Sequence, residues 1–257
     1  RIDYSHDHHS VGFVCKVLGI HFAGICHSPG LGMAGQPILG ILSFDTFFCH
    51  SKIISEKFFP SWKKSYADIY SVGVWRGDIV YKLKLSKDSK KKRIQILASF
   101  DCKFITILHP PPVDTFITDK VISEDWFDAC FKIIKQNPND LFVICERTSS
   151  INLNLIYKNW LKKVILLPNV IQQLSIFKNH KQSYNLLSIA DLSLSPNYSD
   201  QFFESVTNNI KAIVYSTSVS DATYIKDCFS LFKASKGSDL IKVYNRVRKN
   251  DLNINMW

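Results

Sequence analysis

The chain has 257 residues, 46% of them hydrophobic and 21% charged, which excludes disordered and fibrous classes and leaves a globular protein able to bury a substantial core. Its formal net charge of +10, from 32 Lys and Arg against 22 Asp and Glu, favours anionic partners such as nucleotides, nucleic acid or a membrane surface. Seven scattered cysteines without a C-x-x-C pair read as reduced thiols rather than a disulfide framework, and the apolar stretch Val11 to Cys26, broken by Lys16 and His21, falls short of a bilayer span.

His6, Asp7, His8 and His9 cluster near the start at a spacing that matches no standard zinc pattern, so no metal site is expected. His9 to Leu18 suits a helix capped by Gly19, and Ile20 to Cys26 suits a buried strand leading into a Gly-rich loop, His27 to Gly35. Phe44 to Cys49 reads as a strand, Lys52 to Phe59 as a helix, Tyr70 to Val74 as a third strand and Arg76-Gly77-Asp78 as a turn. The basic run Lys90 to Arg93, following Lys82, Lys84 and Lys87, reads as a solvated linker with no nucleic-acid-reading motif around it. Three strands make a poor stand-alone domain, so residues 1–90 are expected to be a partial domain whose N-terminal portion lies outside the chain.

From Phe100 onward, β-rich apolar runs alternate with helical patterns, the grammar of a doubly wound parallel sheet over residues 91–257. The expected strands are Phe104 to Leu108, ended by His109 and three prolines, then Leu141 to Cys145, Val164 to Leu167, Leu174 to Phe177, Leu192 to Ser195 and Ala212 to Tyr215. A helix capped by Ser123 places Ile122, Trp126, Cys130, Ile133 and Ile134 on one face and stops at Asn137-Pro138. Further helices are expected over Leu155 to Leu161, Ser183 to Ala190, Gln201 to Asn208 and Ser238 to Lys249.

Leu186 to Ser216, LLSIADLSLSPNYSDQFFESVTNNIKAIVYS, resembles the donor-site signature of bacterial GT-B glycosyltransferases that build surface carbohydrates. LGIHFAGICHSPG (Leu18 to Gly30) resembles the strand and His-Gly loop of such enzymes, FDTFFCHSKIISEKF the strand and helix that follow, and VGVWRGD a Val-Gly-x-x-Arg-x-Asp turn. The order of these motifs is more specific than any one of them. The resemblance implies an α/β fold of two Rossmann-like doubly wound domains, an incomplete acceptor-side domain over 1–90 and a donor domain over 91–257. It also implies a cytoplasmic enzyme of capsular or other surface-polysaccharide assembly, perched at the inner membrane face by its basic surface, with a nucleotide-sugar and a saccharide or lipid-linked acceptor as partners and no nucleic acid. The sequence departs from the pattern where His27-Ser28-Pro29-Gly30 replaces the His-Gly pair and where the loop Pro196 to Asp200 lacks glycine.

Transfer from a nucleotide-sugar needs a site for the leaving phosphates, a grip on the nucleoside and a base for the acceptor hydroxyl. No metal and no cofactor are expected, because helix-terminal N–H groups and basic side chains neutralise the phosphates in enzymes of this type. Ser193, Ser195, Asn197, Tyr198 and Ser199 carry donors around a strand-to-helix loop, which is otherwise an ordinary turn rich in polar residues. Glu204 has two acceptor oxygens for a ribose cis-diol; alternatively it is an exposed acid complementing the helix dipole. Arg76 either approaches the leaving phosphates or pairs with Asp78 in a turn. His27, at the end of a buried strand, is the base candidate or a structural histidine satisfying loop carbonyls, with Asp7 or His8 as alternative acceptor-side bases. A nucleotide-sugar 2-epimerase or polyol-phosphate transferase of the same fold, a non-catalytic nucleotide- or saccharide-binding module and a nucleic-acid-binding protein remain as other readings.

Overall fold

Ile105 to Leu108 and Leu141 to Ile144 are apolar at nearly every position, as strands covered on both faces must be. In the computed structural model of the protein they lie side by side at the middle of a parallel sheet. The structure describes residues 6–25, 44–49, 68–73, 77–110, 120–145, 155–176, 183–196, 200–215 and 233–249. The chain divides into two compact units, Arg1–Trp75 with Ser218–Cys228 and Arg76–Thr217 with Phe229–Trp257.

The first unit contains helix α1 (His6–Val17) and a three-stranded parallel sheet, β1 (Ala23–Ile25), β2 (Thr46–Cys49) and β3 (Asp68–Ser71), in that order. Gly19, at φ 66°, closes α1 as expected for a left-handed C-terminal position. The Asp45 carboxylate accepts from Phe22 N at 2.8 Å, and Asp45 N donates to Phe22 O at 2.7 Å, which fixes the start of the β1–β2 pairing. A Cβ on Gly24 would stand 2.6 Å from the Phe44 ring, so this strand position needs glycine for close approach.

The second unit holds a six-stranded, all-parallel sheet in the order β6-β5-β4-β7-β8-β9. Its strands are β4 (Phe104–Leu108), β5 (Asp140–Ile144), β6 (Val170–Gln172), β7 (Leu192–Pro196), β8 (Lys211–Tyr215) and β9 (Lys233–Ala234). Its helices are α2 (Gly77–Leu85), α3 (Lys87–Ser99), α4 (Lys120–Gln136), α5 (Leu155–Val164), α6 (Gln173–Ile176), α7 (Ser183–Ile189), α8 (Asp200–Val206) and α9 (Gly237–Arg248). The period-2 alternation of the strands sorts their side chains into two cores. Leu108, Phe142, Ile144, Leu192, Leu194 and Ile213 pack with Trp126 and Cys130 of α4, Trp160 of α5 and Leu240 of α9. Ile105, Ile107, Leu141 and Val143 pack on the other face with Val80 of α2, Ile96 of α3 and Leu186 and Ile189 of α7.

Several expectations are corrected. The basic run is not a linker. It forms α2 and α3, with the Ser86 hydroxyl accepting from Ser89 N at 3.1 Å to cap α3, because Val80 and Ile96 bury an apolar stripe beneath the lysines. Residues 77–90, assigned above to the first domain, accordingly pack within the second unit. Gly77 and Asp78 open α2 instead of making a turn. The helix expected to be capped by Ser123 starts earlier, at Lys120, leaving Ser123 buried inside it. Val164 ends α5, and the apolar run after it is a turn with Leu166 82% exposed; the strand is displaced to Val170–Gln172. Leu174 to Ile176, expected as strand, belongs to α6.

Buried polar groups tie the second unit together. Asp140, at the start of β5, accepts from Arg248 Nε (2.8 Å), a terminal Arg248 nitrogen (2.7 Å) and Tyr244 OH (3.2 Å), while Tyr244 OH also lies 3.0 Å from Thr106 Oγ1. Asp125 of α4 accepts from Tyr215 OH and Gly237 N, each at 2.7 Å, joining α4 to β8 and α9. Burial first, then the neighbouring Asp140, holds the Tyr244 phenol well above its ordinary value; burial and the Asp125 hydrogen bond raise Tyr215 likewise. The folded state therefore keeps both phenols protonated when the unfolded chain ionises them near pH ~10. Their stabilisation is full below that pH and falls as pH rises through it, by up to about 1.4 kcal/mol per pH unit for each tyrosine. Burial lowers Lys84 and Lys211, which act in the opposite sense as pH approaches ~10.4. The expected result is therefore a difference: between pH 9 and about 11.5, urea unfolding of the wild type shows a steeper stability loss than that of Tyr215→Phe, and equal slopes would refute it.

Candidate functional site

Reading the sheet outward from β4, the chain winds to β5 and β6 on one side and to β7, β8 and β9 on the other. The strand order reverses between β4 and β7, and the crevice outside the carboxyl ends of such a pair is where open parallel sheets receive ligands. Leu108 pairs with Leu194, and the following His109 N donates to Leu194 O at 3.0 Å, so His109 and Ser195 stand next to each other at this switch point.

Leu192 and Leu194 face the α4–α9 core, so Ser193 and Ser195 turn to the opposite face. Both serines are fully buried, and neither hydroxyl has a hydrogen-bond partner among the described residues. Farther along the same edge, Cys145 Sγ donates to Gln173 Oε1 at 3.2 Å, while Gln173 Nε2 is buried without a partner among the described residues. A buried polar group without a partner costs about 1–3 kcal/mol, so a row of them calls for an explanation such as a ligand.

Glu204 lies on α8, whose residues Phe202 and Ser205 are buried. It is 2% exposed, which removes its reading as a solvated acid. Because α8 begins at Asp200, Glu204 opens the second turn, where the helix dipole is weak. Its carbonyl is held by Asn208 Nδ2 at 2.8 Å, and the same amide reaches Gly77 O at 3.0 Å, which ties α8 to α2. Ser195 and Glu204 are thus both in the second unit, on consecutive elements of one β-α segment. Asn197, Tyr198, Ser199, Arg76 and His27 lie outside the described residues, and Asp7 and His8 fall in α1 with their side chains outside that description.

In the sequence His109 reads only as the end of a strand. It is 3% exposed at the carboxyl end of β4, and its available signal is its place directly after a largely apolar strand in a β-α alternation. Among the described residues no group of three or more His, Cys, Asp or Glu side chains is placed to hold a metal ion, and no helix is long and apolar enough to cross a membrane. The described cysteines, Cys15, Cys49, Cys102, Cys130 and Cys145, are free thiols.

No protein-family model matches the sequence, and no curated protein does. Solved structures do match. A protein assigned as a UDP-N-acetylglucosamine 2-epimerase from Listeria monocytogenes aligns over 94% of this chain with a TM-score of 0.63 and 13% identity. The wall teichoic acid polymerase TagF aligns over 80% at 0.50 and 13%, and an α,α-trehalose-phosphate synthase (UDP-forming) from Burkholderia vietnamiensis over 96% at 0.53 and 9%. The chain spans 63%, 48% and 62% of those three chains, respectively. With parallel sheets, helices between the strands and these neighbours, the chain has an α/β fold of the Rossmann-like GT-B type.

Proposed function

We propose that the chain belongs to a GT-B-type glycosyltransferase that moves a sugar from a nucleotide-sugar to a saccharide or lipid-linked acceptor in bacterial surface-polysaccharide assembly, at the cytoplasmic face of the membrane. The observation that carries the reading is the β4–β7 switch point, where His109 stands beside Ser195, whose hydroxyl has no partner among the described residues, one β-α step before the buried Glu204. In this reading Glu204 takes the ribose hydroxyls. Ser195, Asn197, Tyr198, Ser199, Arg76 and His109 hold the phosphates through hydrogen bonds that strengthen as charge builds on the leaving group. His27, or alternatively Asp7 or His8, removes the acceptor proton.

The donor half carries no Asp-x-Asp pair, and in this reading neutral donors, an imidazole and the Arg76 guanidinium hold the phosphates, so nucleotide binding is expected to need no divalent ion. A panel of UDP, GDP, CDP and CMP tests both points, since a ligand of the native state raises its unfolding temperature by mass action. Selective stabilisation by one nucleotide, retained in EDTA, is expected. No stabilisation by any of the four would refute the donor site; a shift lost in EDTA and restored by magnesium or manganese would refute the metal-free grip.

The 2-epimerase reading is kept because of the Listeria neighbour. An epimerase converts its nucleotide-sugar with no acceptor present, whereas a transferase with a general base at His27 loses turnover in His27→Ala only in acceptor-dependent transfer. Product analysis with and without a saccharide acceptor separates the two.

A further inference from the structure

A second concavity of about 390 Å³ opens at the opposite edge of the six-stranded sheet. Phe104 and Lys211, the first residues of β4 and β8, and Asp191, which precedes β7, line it together with Lys84 of α2 and Lys90 and Arg93 of α3. Strands of five residues separate it from the carboxyl edge, about 16 Å at the usual rise of ~3.3 Å per residue.

Four cations and one carboxylate give this lining a formal charge of +3. The carboxylate is fully engaged. Asp191 accepts two bonds from one Arg93 nitrogen, at 2.9 and 2.8 Å, and a third from Ile105 N at 2.9 Å, while Arg93 also donates to Ile189 O. What remains is ammonium charge. Lys84 Nζ uses one of its three donors on Asn208 O at 2.8 Å, and Lys90 is exposed at the rim. Lys211 Nζ, 2.9 Å from Val247 O and 5.8 Å above the Phe104 ring, adds its charge from the floor. Ser188 donates to Asn185 O at 2.7 Å and lies 3.2 Å from Ser89 Oγ, so the two hydroxyls satisfy each other and the charge of the lysines is left for a ligand. Burial disfavours the charged forms of Lys84 and Lys211, a cost that a bound anion would relieve. Concave low-dielectric walls of one sign concentrate such anions.

We propose that this pocket, with Lys84, Lys90 and Lys211 as its cations, binds a phosphate-bearing anion at a site separate from the nucleotide site. Arg93 and Asp191 form its frame and make no demand on the ligand. The separation means that either site can be filled while the other is empty.

Calorimetric titration of the whole chain with inorganic pyrophosphate at low salt tests it. Lys84→Gln/Lys90→Gln is expected to weaken binding by more than about tenfold. Lys90→Glu, which breaks no side-chain bond among the described residues, is expected to weaken it severalfold with the unfolding temperature unchanged. The control Lys87→Gln/Lys91→Gln removes the same charge from exposed positions outside the pocket and is expected to change affinity less than about twofold. Equal affinity in the wild type and both pocket variants overturns the proposal, as does a loss in the control as large as in the pocket variant. Loss in Glu204→Ala alone would put the ion in the nucleotide site and overturn it too, while leaving the glycosyltransferase reading intact. Flotation with phosphatidic acid vesicles identifies the carrier of the phosphate: capture that pyrophosphate competes away assigns a lipid headgroup, and no capture assigns a free ion.

Discussion

Arg248→Met destabilises the protein by about 3–5 kcal/mol, the range for removing one partner of a buried, hydrogen-bonded pair. Arg248 supplies two of the hydrogen bonds to Asp140, and Asp140 is 1% exposed. Without the guanidinium, the carboxylate keeps only Tyr244 OH at 3.2 Å among the described side-chain donors. The reverse replacement is milder. In Asp140→Asn the stranded group is Arg248, whose side chain is 35% exposed and is able to turn to solvent, so a loss of about 1.5–3 kcal/mol is expected. Domains are commonly stable by only ~5–15 kcal/mol, so the first variant loses a large share of the total. Urea unfolding measures both. If Arg248→Met came out no less stable than Asp140→Asn, the burial of the carboxylate would not be the dominant cost, and the account of this network would be wrong.

Glu204→Ala weakens binding of the cognate nucleotide by about 1.5–3 kcal/mol, the usual worth of hydrogen bonds to a charged group. A carboxylate receives both hydroxyls of a cis-diol at once, and burial keeps water from competing for it. The 2′-deoxy nucleotide is therefore expected to bind the wild type poorly and to lose little more in the variant. A purely structural Glu204 would show the opposite pattern: a drop in unfolding temperature with the ribose and deoxyribose preferences unchanged. Equal affinity of the wild type and Glu204→Ala for the ribonucleotide would refute the assignment.

The centre of the larger sheet was legible because its signals are redundant. Phe104 to Leu108 is apolar on both faces and is followed by prolines, and α4 repeats Trp126, Cys130, Ile133 and Ile134 at helical spacing. Short elements at the periphery were not. Ile165 to Leu167 has a strand's composition but lies in a turn, while β6 takes only three residues, whose pairing with β5 is a tertiary event. The lysine run misled for a related reason: charge is visible in the sequence, whereas the apolar stripe of Val80 and Ile96 is spread across two helices. In the proposed site, Glu204 and Ser195 come from the resemblance of Leu186 to Ser216. His109 required the strand order, since only the pairing of β4 with β7 makes the end of β4 a switch point.

Asp140 and its partners Tyr244 and Arg248 are separated by more than 100 residues of chain. During synthesis, β4 and β5 emerge and are able to pair while the cation that neutralises Asp140 has yet to be translated. Until α9 leaves the ribosome, the nascent sheet has an acidic flaw beneath Phe142 and an uncovered apolar face around Trp126 and Leu240's future seat. The last step in folding this unit therefore waits for α9 to emerge, and stalled nascent chains that stop before α9 are expected to be protease-sensitive.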